Sequence, residues 1–179
     1  MGTVRVKTII AHIRLFRPLN LFTGAFAVYV CSAVLRSLYQ TSELTFAILT
    51  VVGYNAAANS LNDFIDFKID QVNRPNRPLT AGLVKRNTAL IFSVLLFVGG
   101  SVTALFLSKL AAMIAILIVL PLIILYNLKL KQLPLVGNIV IALILGLTFV
   151  YSGAVFGNIK PMIIPCFLAF GLTFVRELV

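Results

Sequence analysis

This chain is poor in charge, and poorest in negative charge. Of its 179 residues 11% are charged, against about 25% in soluble domains. Only five are acidic: Glu43, Asp63, Asp66, Asp70 and Glu177. Cysteine is scarce as well. Cys31 and Cys166 sit in separate apolar runs far apart in sequence, which excludes a disulfide framework and any cysteine metal spacing. A cleavable signal peptide is not expected, because Arg14 and Arg17 come just before the first apolar run and no small-residue cleavage site follows. Met1-Gly2 opens like a myristoylation site, but Val6 stands where Ser or Thr is needed. The acidic motif is not repeated, and no segment is of low complexity.

What remains is apolar. Hydrophobic residues make up 60% of the chain, and the mean hydropathy is +1.06. The composition predicts an all-α, polytopic transmembrane helical bundle. A crossing takes roughly 17–25 helical residues. Six such spans are expected, at about 19–38, 44–64, 88–107, 110–128, 135–156 and 161–179. Residues 1–18 read as an interfacial amphipathic helix, with Ile9, Ile10, Ile13 and Leu15 set among basic residues. The whole of 1–179 is expected to be one membrane domain.

The net charge is +10, but the basic residues do not form the single patch that a nucleic acid would need. They alternate between connections. From the N-terminus onward the counts of Lys and Arg are 4, 1, 5, 1, 2 and 1. Such alternation is a topology signal, and it places the N-terminus and the even-numbered loops in the cytoplasm. The host membrane expected is a prokaryotic cell membrane. No nucleic-acid partner is expected.

Three of the five acids fall within eight positions, in Asn62-Asp63-Phe64-Ile65-Asp66-Phe67-Lys68-Ile69-Asp70. A carboxylate at the bilayer centre costs about 2.5–3.5 kcal/mol, and an apolar residue returns only about 0.3–0.6. Three carboxylates together therefore need water and a cation. Continued as a helix, this segment puts Asn55, Asn59, Asn62, Asp63, Asp66 and Asp70 along one side, with Leu61, Phe64 and Ile65 turned away. A polar stripe on a membrane helix faces a bundle interior or a cavity. Asn62, Asp66 and Asp70 are spaced as neighbours on one helix face, and hard oxygen donors suit Mg²⁺. The next loop carries Arg74 and Arg77, whose guanidinium forks match phosphate. Tyr126, Lys129 and Lys131 end the fourth span on the same side, and Arg14 and Arg17 approach the first span there. Together these residues describe a pocket for Mg²⁺ and a polyanion. A solvated acidic helix end and a set of topology signals is the competing interpretation.

These residues resemble the UbiA family of membrane prenyltransferases. Asn62, Asp63, Asp66 and Asp70 are similar to its first aspartate-rich signature, and Asn73-Arg74-Pro75-Asn76-Arg77-Pro78-Leu79 to the loop that follows it. Arg14-Leu15-Phe16-Arg17-Pro18-Leu19-Asn20 resembles the family's approach to the first helix. Tyr126-Asn127-Leu128-Lys129-Leu130-Lys131 resembles its Tyr/Lys region. The loop and Leu133-Pro134-Leu135-Val136-Gly137-Asn138 look most like members that move a geranylgeranyl group from its diphosphate to geranylgeranylglyceryl phosphate, in ether-lipid biosynthesis. Members acting on aromatic acceptors for quinone synthesis have similar loops.

The resemblance implies site roles. Asn62, Asp66 and Asp70 would hold Mg²⁺, with Asp63, Asp66 and Asp70 catalytic. Arg17, Asn20, Asn59, Arg74, Arg77, Tyr126, Lys129 and Lys131 would bind the prenyl diphosphate and its lipid-phosphate or aromatic acceptor. It also implies about nine helices and a second aspartate-rich motif reached through an Arg-Glu pair. Here Arg176-Glu177-Leu178-Val179 are the last residues. The expectation is therefore the N-terminal two-thirds of a nine-helix fold, with a separately encoded C-terminal segment as a possible partner. Two other classes stay open: a noncatalytic membrane remnant, and a cation transporter. A transporter is disfavoured because the acids gather at one interface beside a basic loop, not at the midplane.

Overall fold

The computed structural model describes residues 2–178, and their side chains from Ile9 onward. Met1 and Val179, the outer limits of the expected interfacial helix and sixth span, lie outside the described residues, as do the side chains of Arg5, Val6 and Lys7. Among the described residues the fold is helical throughout. In chain order the elements are α1 (Gly2–Leu15), α2 (Pro18–Val34), α3 (Thr41–Ile65), α4 (Phe67–Asn73), α5 (Arg86–Ala104), α6 (Lys109–Met113), α7 (Leu120–Leu128), α8 (Val136–Val155) and α9 (Ile163–Leu178). A π-helical stretch, Ile114–Val119, joins α6 to α7, and 3₁₀ turns at Leu130–Gln132 and Lys160–Met162 lead towards α8 and α9.

Among the described residues five helices are long and apolar enough to cross a membrane: Thr41–Ile65, Arg86–Ala104, Lys109–Leu128, Val136–Val155 and Lys160–Leu178. The first expected span, α2, is shorter than its composition suggested. Apolar residues run on to Leu38, but the helix stops at Val34. Arg36 takes a left-handed conformation (φ 55°), its N–H donates to Ala33 O, and the Ser37 N–H donates to Ser32 O at 2.8 Å. That paired reversal ends a helix whatever the side chains that follow. At 17 residues, α2 rises about 26 Å.

Among the described residues these five spans and α2 run alternately up and down. Contacts at one end join Arg17 to Asp63, Lys131 to Asp66, and Asn138 to the Glu177 carbonyl. At the other end Ser108 Oγ donates to Ala154 O. Helix α3 is the centre of the bundle, packed against α2, α5, α7 and α8. Its fit to α5 depends on small residues. A Cβ on Gly53 would lie 3.3 Å from Gly100 Cα, and one on Gly100 would lie 2.7 Å from the Tyr54 ring. Bare backbone lets two membrane helices approach closely. Hydroxyl pairs seal the seam: Thr50 with Thr103 and Tyr54 with Ser101, both at 2.9 Å.

The π-helical stretch has a local cause. Pro121 lacks the N–H that would bond back to Leu117 and crowds that carbonyl. The preceding turn widens to absorb the mismatch, and Val119 at its end faces the cavity described below. A second apolar cluster joins Ala11 and Leu15 of α1 to Leu79, Val84 and Ala89. It tucks the loop after α4 beneath α1 and leaves Ile9, Ile10 and Ile13 exposed.

Candidate active site

The site begins where α1 gives way to α2. Arg17 adopts a left-handed backbone (φ 54°) and Pro18 starts α2. Asn59 Nδ2 donates to Phe16 O at 2.9 Å, tying this strained corner to α3. The corner aims Arg17 at Asp63, with Nη2 2.7 Å from Oδ1. Asp63 is only 3% exposed. Its Oδ1 also accepts from Arg77 Nη1 at 3.1 Å, and the same nitrogen reaches Asp70 Oδ2 at 2.5 Å. Two guanidinium groups thus hold two buried carboxylates. Buried charge persists only when paired in this way.

Asp66 is handled differently. Helix α3 ends at Ile65, and Asp66 is the joint (φ −79°, ψ 4°) before α4. Arg86 secures the joint: its Nε donates to Phe64 O at 3.2 Å, and its guanidinium lies 4.4 Å from the Phe64 ring centre and 5.5 Å from that of Phe67. Asp66 Oδ1 meets Lys131 Nζ at 2.5 Å, and the same ammonium lies 3.2 Å from Asn62 Oδ1. The three carboxylates that sequence spacing placed on one continuous helix therefore part into two groups. Asp63 and Asp70 go with arginines, and Asp66 goes with Asn62 and a lysine.

Beside them a cavity of about 550 Å³ opens. Its mouth carries Arg17, Asn20, Asn59, Asn62, Tyr126 and Arg176, and its depth is lined by Ala27, Val51, Val119, Ile144, Leu145 and Phe149. From Asn62 to Val51 along α3 the wall descends about 16 Å, from amides to aliphatic side chains.

Of the residues singled out from sequence, Arg17, Asn20, Asn59, Asn62 and Tyr126 line this cavity. Asp63, Asp66, Asp70, Arg77 and Lys131 form the charged cluster beside its mouth. Arg74 and Lys129 are exposed and outside both groups. Sequence reasoning missed Thr173 and Arg176, which α9 brings to the cavity, and gave Asn127 no role of its own. The signal for the α9 pair was present: Thr173 and Arg176 are three residues apart on one helix face, in a span with no other cation until its start at Lys160.

A profile of the UbiA prenyltransferase family matches residues 20–178. The chain belongs to this family. It is 34% identical to the digeranylgeranylglyceryl phosphate synthase of Methanothermobacter thermautotrophicus over 172 residues, covering 94% of this chain and 59% of the relative. The enzyme of the same name from Thermococcus gammatolerans is 35% identical over 170 residues, with 94% and 61% covered. That of Methanococcoides burtonii is 38% identical over 144 residues, with 76% and 50% covered. A solved structure concerned with digeranylgeranylglyceryl phosphate synthase in membranes superposes with a TM-score of 0.85 at 28% identity, covering 95% of this chain and 61% of that one. The chain spans about three fifths of the length of the first of these relatives. With its apolar helices, the family places it among integral membrane proteins.

Prenyltransferases of this family generally depend on a divalent metal. The donor chemistry fits such an ion at one point, where Asn62 Oδ1 and Asp66 Oδ1 already converge on a single positive charge. Hard oxygen donors of this kind suit Mg²⁺. Among the described residues no group of three or more His, Cys, Asp or Glu is arranged to hold a metal. The remaining ligands would have to be phosphate oxygens and water, which is how Mg²⁺ is commonly held.

Proposed function

We propose that this protein transfers a prenyl group, a geranylgeranyl group by preference, from its diphosphate to geranylgeranylglyceryl phosphate, and that the transfer depends on Mg²⁺. The observation that carries this reading is the charge arrangement at the cavity mouth. Arg17 and Arg176 line a pocket whose deeper wall is mostly apolar, with Val51, Val119, Ile144, Leu145 and Phe149, and Lys131 sits beside it on Asn62 and Asp66. A ligand suited to it has a polyanionic head and a long apolar tail. The names of the relatives supply the acceptor class.

In this reading the diphosphate sits at the mouth and the isoprenoid tail runs down past Val51, Val119 and Phe149. Asn62 and Asp66 would hold Mg²⁺, which would neutralise charge developing on the leaving diphosphate. Arg17 and Arg176 donate to phosphate oxygens, and Lys131 adds a mobile point charge. Asp63 and Asp70 orient Arg17 and Arg77 and do not touch the substrate. Cleavage of the carbon–oxygen bond leaves an allylic cation beside the departing diphosphate, where the pocket passes from amides to apolar side chains and little water can quench it. The acceptor hydroxyl attacks that carbon and passes its proton to an oxygen of the released diphosphate. The mouth faces the cytoplasm, and α1 lies along the membrane surface through Ile9, Ile10 and Ile13.

The test is radiolabelled prenyl transfer in membranes holding this chain. Donor and Mg²⁺ are supplied with geranylgeranylglyceryl phosphate or with an aromatic acceptor, and the assay is repeated with the C-terminal portion of a relative co-expressed. Label in the glyceryl lipid supports the proposal. Label in the aromatic product alone, or no label in any arm, overturns it.

A further inference from the structure

The three carboxylates of the cluster are not equally committed. The side chains of Asp63 and Asp70 are 4% and 9% exposed and are gripped by planar guanidinium groups. The Asp66 side chain is 22% exposed and has one cation partner, the ammonium of Lys131. That ammonium reaches the site from a three-residue 3₁₀ turn, Leu130–Gln132, on a flexible four-carbon stem. It lies within reach of both Asn62 Oδ1 and Asp66 Oδ1, the two oxygens best placed to hold a divalent ion. One position between these oxygens cannot hold a lysine and a metal at once. Two cations that close would repel strongly.

We infer that Lys131 is a stand-in cation. In the substrate-free protein it neutralises Asp66 and donates a hydrogen bond to Asn62 Oδ1. When a divalent ion enters, Lys131 is displaced and turns to the incoming diphosphate. The idea rests on the Mg²⁺ reading above. It adds that the same side chain opposes metal binding before substrate arrives and favours diphosphate binding afterwards. The arginine pairs cannot do this, because releasing them would strand a buried carboxylate. Displacing Lys131 in the full complex strands neither partner, since the metal takes over Asp66 and phosphate takes over the ammonium. With metal alone the ammonium is left without its carboxylate partner, which is the cost that opposes metal binding; once diphosphate is also bound every charge is paired, and no covalent step is involved.

The experiment measures Mn²⁺ binding by electron paramagnetic resonance on the full chain in nanodiscs, without substrate, and then pyrophosphate binding at saturating Mn²⁺. The variants are Lys131→Met, Lys131→Gln and Asp66→Asn, each checked for unchanged helix content. Both Lys131 variants should bind Mn²⁺ alone at least about fivefold more tightly, while pyrophosphate binding weakens at least about tenfold. Effects of opposite sign would not arise from general disruption of the fold. Asp66→Asn should lose Mn²⁺ affinity. Mn²⁺ affinity that is unchanged or weaker in both Lys131 variants, with Asp66→Asn still defective, overturns the stand-in role but leaves the metal reading intact. Mn²⁺ binding that does not respond to Asp66→Asn, or is absent, overturns the metal reading and the stand-in role together.

Discussion

Two faces of α3 do opposite work with residues that are close neighbours in sequence. The face towards α5 carries Thr50, Gly53, Tyr54 and Ala57, all buried. The face towards the cavity carries Val51, Asn55, Ala58, Asn59 and Asn62. On the first, missing side-chain volume lets backbones meet, and each hydroxyl finds a partner across the seam. On the second, amides and a left-handed arginine corner hold a space open. In a bilayer the apolar effect does not drive helices together, so packing and polar pairing set the architecture. The lesson is that the site is kept open by the rigidity of the opposite face.

That contrast can be broken or sharpened in graded steps. The largest stability change is expected where the two faces share a buried charge. Asp63→Ala leaves Arg17 and Arg77 facing an empty position and should cost about 3–5 kcal/mol, read as a steep drop in the thermal midpoint in detergent. An unchanged midpoint would show that the arginine clamp contributes nothing to folding. Next comes the packing face. Gly100→Val would push a side chain into the Tyr54 ring and should cost about 1–3 kcal/mol, with loss of prenyl transfer following loss of the fold. Tyr54→Phe removes only the bond to Ser101 and should cost about 0.6 kcal/mol. On the cavity face the order of effects reverses. Asn55→Leu should shift the midpoint by about 1 kcal/mol, since Asn55 Nδ2 packs against Gly24 of α2, while filling the pocket, so that donor binding falls sharply. A stable Asn55→Leu variant with unaltered donor binding would remove that face from the site. Asp66→Asn loses one part-buried ion pair, so its stability change should be small beside that of Asp63→Ala, yet transfer should fall at least about a hundredfold in the labelled assay.

Much of the bundle was legible in the sequence. Hydropathy and the alternation of basic residues gave six spans in order, because in a bilayer each backbone must satisfy itself within a helix. The polar stripe from Asn55 to Asp70 was legible through helical periodicity, and it did line a cavity at Asn55, Asn59 and Asn62. Periodicity failed at Asp66, because the helix is interrupted there and Asp70 leaves the shared face. It also overran at the end of α2, where a left-handed Arg36 overrides apolar composition. Thr173 and Arg176 were passed over because nothing local to α9 says which neighbour its polar face meets.

The sequence alone determined the class of this protein: an all-α membrane bundle, with its charge gathered at helix ends, that resembles one family. These follow from local quantities, such as residue transfer energies, helical period and turn chemistry, which hold wherever the segment ends up. Only the tertiary structure decided the pairing of charges. Lys131 meets an aspartate 65 positions away, and Arg17 one 46 positions away. Those distances are set by how α1, α2, α3 and the turn before α8 pack together. Electrostatic partners at short range are chosen by packing geometry, which no single segment contains.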